Sequence, residues 1–154
     1  MKALICHKWG GPEELVVGEL PSPTPGPGQI RIAPEAFGVN YADLVLIAGN
    51  YRFKPPFPFA PGLEIAGIVT ATGPGTSRFR TGDRAMAYVE HGGYANQVVA
   101  NEGAAFPVPP SMTSTEAAAN THMIGRQSDT WRTSAIMSTR TRAAKPAALA
   151  TAAM

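Results

Sequence analysis

Short apolar runs separated by glycine and proline dominate residues 1–119 of the chain. This part holds 15 of the 16 glycines and 14 of the 15 prolines, and the runs between them have the length of β-strands. Such a pattern is typical of a β-rich domain. The candidate strands are KALICHK, ELVVGEL, QIRIA, EIAGIVTATG, DRAMAYV and YANQVVA. Because closing short strands on themselves hides their unpaired edges, the pattern favours a barrel-like architecture that is mainly β.

Two short helices are predicted among the strands. The first covers residues 41–48, where Asn40, Asp43 and Ile47 recur at helical spacing. The second begins near Thr113, because the stretch TSTE matches a capping box in which Thr113 caps the helix and Glu116 reaches back. The stretch ELPSPTPGPGQ is predicted to be a connection, since its prolines exclude a central strand.

Length, charge and cysteine content narrow the class of protein. A chain of 154 residues with 44% apolar content is long enough for one ordinary domain and a remainder. The net charge of +2 and the absence of like-charge runs argue against a nucleic acid or an anionic membrane as partner. With Cys6 as the only cysteine and no long apolar segment, we expect a soluble, cytoplasmic protein without disulfides.

The character of the sequence changes after Ala119. Residues 120–154 contain one glycine, one proline, five basic residues and one acidic residue. Their scattered large apolar side chains keep neither a helical nor a strand period, so the segment buries too little to offset its ordering entropy. The sequence predicts one domain over residues 1–119 and a tail over residues 120–154 that is disordered or read out of frame. An ordinary flexible basic tail is the alternative.

Several phrases in a fixed order carry a family resemblance. They are GPEELVVGELPSPTPGPGQIRI, FGVNYADLVLIAGNY, PFPFAPGLEIAGIVTATGPGTSRFRTGDRAMAY and GGYANQVVA. Together they resemble the N-terminal domain of the medium-chain dehydrogenase/reductase superfamily, in its zinc-independent quinone oxidoreductase branch. The resemblance covers residues 1–119. It implies a GroES-like β-barrel domain that, in similar proteins, is joined to a Rossmann domain binding NADPH.

The resemblance also suggests that this chain does not use zinc. Zinc-bearing members of the superfamily have a cysteine where this chain has Asn40 and a histidine where it has Leu63. An amide oxygen and a hydrocarbon are poor ligands for an ion that prefers thiolate and imidazole. The cysteine-rich structural zinc loop of those relatives is also missing, and we interpret His91 as an ordinary loop residue.

Three residues become candidates for the chemistry through the resemblance. Asn40 has amide hydrogens that can hold a substrate oxygen or orient the nicotinamide or ribose, so it is both a catalytic and a cofactor-binding candidate. Tyr51 offers a flat ring and a phenolic donor as a second catalytic candidate. Asp43 is a candidate for orienting substrate or cofactor. A carboxylate in a first helical turn also needs no function, because it complements the helix dipole.

The resemblance implies NADPH-dependent reduction of a quinone or another activated, conjugated carbonyl. The motif GPG is not a dinucleotide fingerprint, and residues 120–154 do not resemble the Rossmann domain that follows in similar proteins. We therefore expect a truncated or frameshifted product that is inactive alone and lacks the main phosphate-binding site. The alternative is a non-catalytic binding or interaction module. Because the face that would meet a second domain is left bare, we also expect self-association.

Overall fold

The computed structural model of the chain describes residues 1–125. Seven strands and two helices alternate with loops in this part. The strands are β1 Lys2–Cys6, β2 Leu15–Glu19, β3 Gln29–Gly38, β4 Glu64–Thr72, β5 Arg84–Tyr88, β6 Val98–Asn101 and β7 Ala105–Pro107. The helices are α1 Tyr41–Ile47, between β3 and β4, and α2 Ser114–Gly125 at the end. This confirms the prediction of a mainly β domain with short helices.

The strands form two antiparallel sheets. One sheet contains β1 and β2, and the other has the order β6-β3-β4-β5-β7. Isolated bridges between Ala3 and Ala95 and between Cys6 and Phe59 attach the small sheet to the rest. Among the described residues the sheets do not close into a continuous barrel, which corrects the closed form that the strand pattern favoured. Strand β6 pairs with β3 only over Gln29–Ile32, and no other strand of residues 1–125 pairs with the second half of that edge of β3.

The core lies between the sheets and under the two helices. Ile30, Ile32, Ile65 and Val69 are fully buried in its largest cluster. They alternate along β3 and β4 as expected for strands with one face on the core. Helix α2 covers the other face of β4, where its small Ala117 and Ala118 allow close packing.

Both predicted helix starts are present. At α2 the Thr113 amide donates to Glu116 at 2.8 Å, and the Glu116 amide donates to the Thr113 hydroxyl at 3.2 Å, as a capping box requires. The helix continues to Gly125, beyond the predicted domain boundary at Ala119. The rest of the predicted tail, residues 126–154, lies outside the described residues. Neither helix within residues 1–125 is long and apolar enough to cross a bilayer.

Candidate functional site

Asn40 stands at the start of α1 and faces the start of β4. Its backbone is extended, with φ −128° and ψ 159°, as is usual for a residue that caps a helix. Its backbone N–H donates to the Asp43 carboxylate at 2.8 Å, which orders the first turn. The side-chain Nδ2 donates to Glu64 Oε2 at 2.9 Å. Because only the nitrogen of an amide can donate to a carboxylate, Glu64 fixes the orientation of the Asn40 side chain.

Glu64 is a buried acid beside Asn40, and sequence reasoning missed it. It opens β4, is only 3% exposed and lies opposite Tyr88 of β5 in the ladder. Gly38 makes room for it, since a Cβ at Gly38 would lie 2.9 Å from the Glu64 Cβ. The signal in the sequence is a charged residue within the otherwise apolar run PGLEIAGIV. Buried charges of this kind are rare unless they are paired.

Tyr51 joins the same cluster from the loop after α1. Its hydroxyl lies 3.4 Å from the Tyr88 hydroxyl, and either oxygen is able to donate. Burial, followed by the hydrogen bond to Tyr51, raises the pKa of Tyr88 to about 12. The nearby negative charge of Glu64 adds to the effect, whereas the positive charge of Arg52 opposes it. Two sequence-predicted residues, Asn40 and Tyr51, therefore flank the Glu64–Tyr88 pair; we call these four residues the amide–tyrosine cluster.

Asp43 faces a different neighbour. It is 3% exposed, and its Oδ2 accepts hydrogen bonds from the Asn40 amide and, at 2.9 Å, from the Tyr94 hydroxyl. Burial and the negative charge of Asp43 raise the pKa of Tyr94 well above its ordinary value. The other oxygen, Oδ1, is buried and has no hydrogen-bond partner among residues 1–125. These contacts tie α1 to the loop before β6. Asp43 therefore has a structural, bracing role: it holds the start of α1 against Tyr94.

The two positions at which the resemblance led us to look for zinc ligands hold Asn40 and Leu63. Leu63 is 2% exposed and packs with Cys6, Leu46 and Phe59 in an apolar cluster. No group of three or more His, Cys, Asp or Glu side chains within residues 1–125 is arranged to hold a metal ion. His91 stacks on Phe53 with ring centroids 5.8 Å apart, and burial lowers the pKa of its imidazole.

A wide apolar groove lies beside the small sheet. Its volume is about 620 Å³, and its lining includes Val17, Phe37, Val39 and Leu44 together with Asp43 and Tyr94. Neither Asn40 nor Tyr51 is among the lining residues. The groove and the amide–tyrosine cluster are therefore distinct features. They lie close together, because Asp43 lines the groove and Asn40, whose backbone amide bonds to Asp43, belongs to the cluster.

The raised pKa of Tyr88 predicts a loss of stability at high pH. Between its ordinary value of 10.0 and about 12, the unfolded chain has released a proton that the folded chain keeps. The free energy of unfolding therefore falls as the pH rises through this window. In urea titrations at several pH values, Tyr88→Phe should show a shallower fall than the wild type. Tyr41→Phe, at a tyrosine that is 80% exposed, should keep the wild-type slope, and equal slopes in all three would contradict the assignment.

Comparison with known proteins decides the family. Residues 26–110 match the alcohol dehydrogenase GroES-like domain family. The chain belongs to this family. The match spans β3 through β7, and therefore includes all four residues of the amide–tyrosine cluster.

The relatives of this GroES-like chain are oxidoreductases and VAT-1 homologs. It is 37% identical over 121 residues to the human synaptic vesicle membrane protein VAT-1 homolog, covering 77% of this chain and 31% of that protein. It is 33% identical over 121 residues to rat quinone oxidoreductase, covering 77% of this chain and 37% of that protein. The chain thus spans about a third of the length of the curated relatives it matches.

Solved structures that are similar to this chain include the same two kinds of protein. Escherichia coli quinone oxidoreductase complexed with NADPH is similar with a TM-score of 0.73 and 30% identity, over 77% of this chain and 36% of that one. The human VAT-1 homolog-like protein is similar with a TM-score of 0.74 and 33% identity, over 77% and 38%. The predicted membership of the medium-chain dehydrogenase/reductase superfamily, and of its quinone oxidoreductase type, is confirmed. The chain carries the N-terminal, oxidoreductase-like domain of such proteins.

Proposed function

We propose that this chain is the substrate-binding part of an oxidoreductase that reduces quinones or other conjugated carbonyls, with NADPH as the hydride donor. The similarity to quinone oxidoreductases, one of them solved with NADPH, supports this reaction class. The observation that carries the proposal is the amide–tyrosine cluster. It brings together hydrogen-bond donors from the start of α1, the loop after α1 and the end of β5, around the buried Glu64.

The cluster is suited to holding a carbonyl oxygen. Hydride addition to a conjugated carbonyl places negative charge on that oxygen, and donors fixed in advance stabilise it. Asn40 uses one amide hydrogen on Glu64 and keeps a second, whose direction Glu64 sets. Tyr51 contributes a hydroxyl whose partner, Tyr88, is held by the ladder between β4 and β5. We therefore assign Asn40 and Tyr51 to the substrate oxygen, while Glu64 and Tyr88 position them.

We propose that this reaction proceeds without zinc. Polarisation of the carbonyl then depends on the donors of Asn40 and Tyr51. The ligand chemistry supports this, because Asn40 and Leu63 replace thiolate and imidazole and Leu63 packs among apolar side chains.

The described residues do not fit the phosphates of NADPH. Dinucleotides bind at the glycine-rich turn of a parallel βαβ unit, whereas every strand pair within residues 1–125 is antiparallel. We propose that NADPH is held mainly by polypeptide outside these residues, with Asn40 orienting its nicotinamide or ribose. The full 154-residue chain is then expected to be inactive by itself.

Removing one hydroxyl should weaken quinone binding. Tetramethyl-1,4-benzoquinone is a suitable probe, because its ring has no free position for addition of a thiol. In equilibrium dialysis, Tyr51→Phe should bind it roughly 3- to 10-fold more weakly than the full wild-type chain, as expected for one lost hydrogen bond. NADPH added to the same dialysis chambers should reach equal concentrations on both sides of the dialysis membrane, because the described residues do not fit its phosphates.

The matched control is Tyr41→Phe, since Tyr41 is 80% exposed and is not part of the amide–tyrosine cluster. It should bind the quinone like the wild type. Equal binding by all three proteins would remove Tyr51 from the site, and no binding by any of them would refute the proposed function.

A further inference from the structure

Within residues 1–125 the outer edge of β2 is open. In this part of the chain β2 pairs with β1 alone, and the terminal pair Met1 and Leu20 exchanges both main-chain hydrogen bonds. Because hydrogen-bonded and non-hydrogen-bonded pairs alternate along an antiparallel ladder, Gly18 and Val16 also bond toward β1. Val17 and Glu19 then point their N–H and C=O groups away from it. Leu15 does so too, but its N–H is already used on the Pro12 carbonyl.

This edge lacks the features that usually prevent strand pairing. Natural edge strands are protected by lysine, proline, bulges or a covering segment. The sequence of β2 is LVVGE, with no proline and one charge at its last position. Val17 is 82% exposed and Val16 47% exposed. No other strand within residues 1–125 runs along this edge.

The apolar surface continues from this edge into the groove. Val17 lines the groove with Phe37, Val39 and Leu44, which are 47%, 80% and 44% exposed. Contiguous exposed apolar side chains are a common feature of interaction surfaces in soluble proteins. The free edge and the apolar patch therefore belong to one surface, which we call the β2 face.

We infer that the β2 face joins two copies of this chain through antiparallel pairing of their β2 strands. A two-fold axis at Val17 makes the contact self-complementary, as closed dimers require. The Val17 residues of the two copies exchange both of their main-chain hydrogen bonds. Each Glu19 N–H donates to the Leu15 carbonyl of the second copy, which fits the fact that Leu15 offers only its carbonyl.

The side chains of β2 also favour pairing with a second copy of the chain. In this register the two exposed Val17 side chains become direct cross-strand neighbours, an apolar pair that stabilises a sheet. Glu19 lies opposite Leu15, so the two acidic groups stay at opposite ends of the contact and do not repel each other closely. Because each copy contributes one short strand of five residues, we expect a reversible dimer with a dissociation constant on the order of 10 μM.

Sedimentation equilibrium of the full chain tests the dimer by measuring its mass from about 1 to 200 μM, a range that brackets the expected dissociation constant. Val17→Pro deletes an N–H that β1 does not use, and proline is tolerated on edge strands, so this variant should fold and remain monomeric. Val17→Thr keeps the N–H and the β-branched shape and should still dimerise. A wild-type chain that stays monomeric, or a Val17→Pro variant that dimerises equally, overturns the inference.

Hydrogen exchange on the wild type keeps the test decisive if Val17→Pro does not fold. The Val17 amide should exchange more slowly as protein concentration rises, whereas the inward-facing Val16 amide should not change. Protection of Val17 at concentrations where the chain is monomeric would show that the chain's own polypeptide covers the edge. That result, or a Val17 amide that exchanges quickly at every concentration, also overturns the inference.

Discussion

Gly67→Ala is expected to lower the free energy of unfolding by about 3 kcal/mol or more, or to prevent folding altogether. Gly67 lies in β4 between Pro34 of β3 and Ala85 of β5 and is fully buried. A Cβ at this position would overlap the Ala33 carbonyl oxygen and lie 2.7 Å from the Pro34 Cα. Both neighbours are backbone atoms of the paired strand, so no side chain is available to move aside. Relief would require β3 to separate from β4.

The matched control for this prediction is Gly103→Ala. Gly103 lies in a short 3-10 turn, and no heavy atom stands within 4 Å of a Cβ built there. Its unfolding free energy should stay within about 0.5 kcal/mol of the wild type, as is usual for exposed substitutions. Urea denaturation followed by circular dichroism measures both variants. A Gly67→Ala chain that is as stable as Gly103→Ala would show that β3 and β4 are not packed as described.

Asp43→Ala is expected to cost about 2–4 kcal/mol of stability. The substitution leaves the Asn40 amide and the Tyr94 hydroxyl without their acceptor in a buried region. Groups that lose a hydrogen-bond partner while remaining buried bear the full desolvation penalty. It also removes the negative charge from the first turn of α1, where the helix dipole favours it.

Three further variants, two single and one double, separate this bracing from a general effect of losing an acid. Tyr94→Phe removes one donor from Asp43 and should cost only about 1 kcal/mol. Combined with Asp43→Ala it should cost less than the sum of the two, because both remove the same bond. Glu13→Ala, at an exposed acid, should change stability by less than about 0.5 kcal/mol. A loss in Asp43→Ala no larger than in Glu13→Ala would contradict the bracing role.

Local features of the fold could be predicted from the sequence. The start of α1 and the capping box at Thr113 depend on contacts three residues apart, and both are present. Most strands were visible as apolar runs between glycines and prolines. Strand β7 was not, because it has only three residues and one is Pro107. Closure of the sheets was predicted wrongly, since it depends on which distant strands pair rather than on any local pattern.

Only two of the four residues of the candidate site could be predicted from the sequence. Asn40 and Tyr51 were identified through a family resemblance, and their residue types suggested donors. Their link through Glu64 and Tyr88 depends on the register between β4 and β5, which brings residues 24 positions apart opposite each other. No periodicity in the sequence carries that information. The position of Asp43 beside Tyr94, 51 residues later, was hidden for the same reason.

A crystal structure of the full chain soaked with tetramethyl-1,4-benzoquinone would test the proposed site most directly. We expect the quinone beside the amide–tyrosine cluster, with one carbonyl oxygen within hydrogen-bond distance of the Asn40 Nδ2 or the Tyr51 hydroxyl. At the same quinone concentration its density should be weaker in Tyr51→Phe than in the wild type, and unchanged in Tyr41→Phe. A quinone bound only in the groove between Val17 and Leu44, with Asn40 and Tyr51 untouched, would contradict the assignment of substrate binding to this cluster.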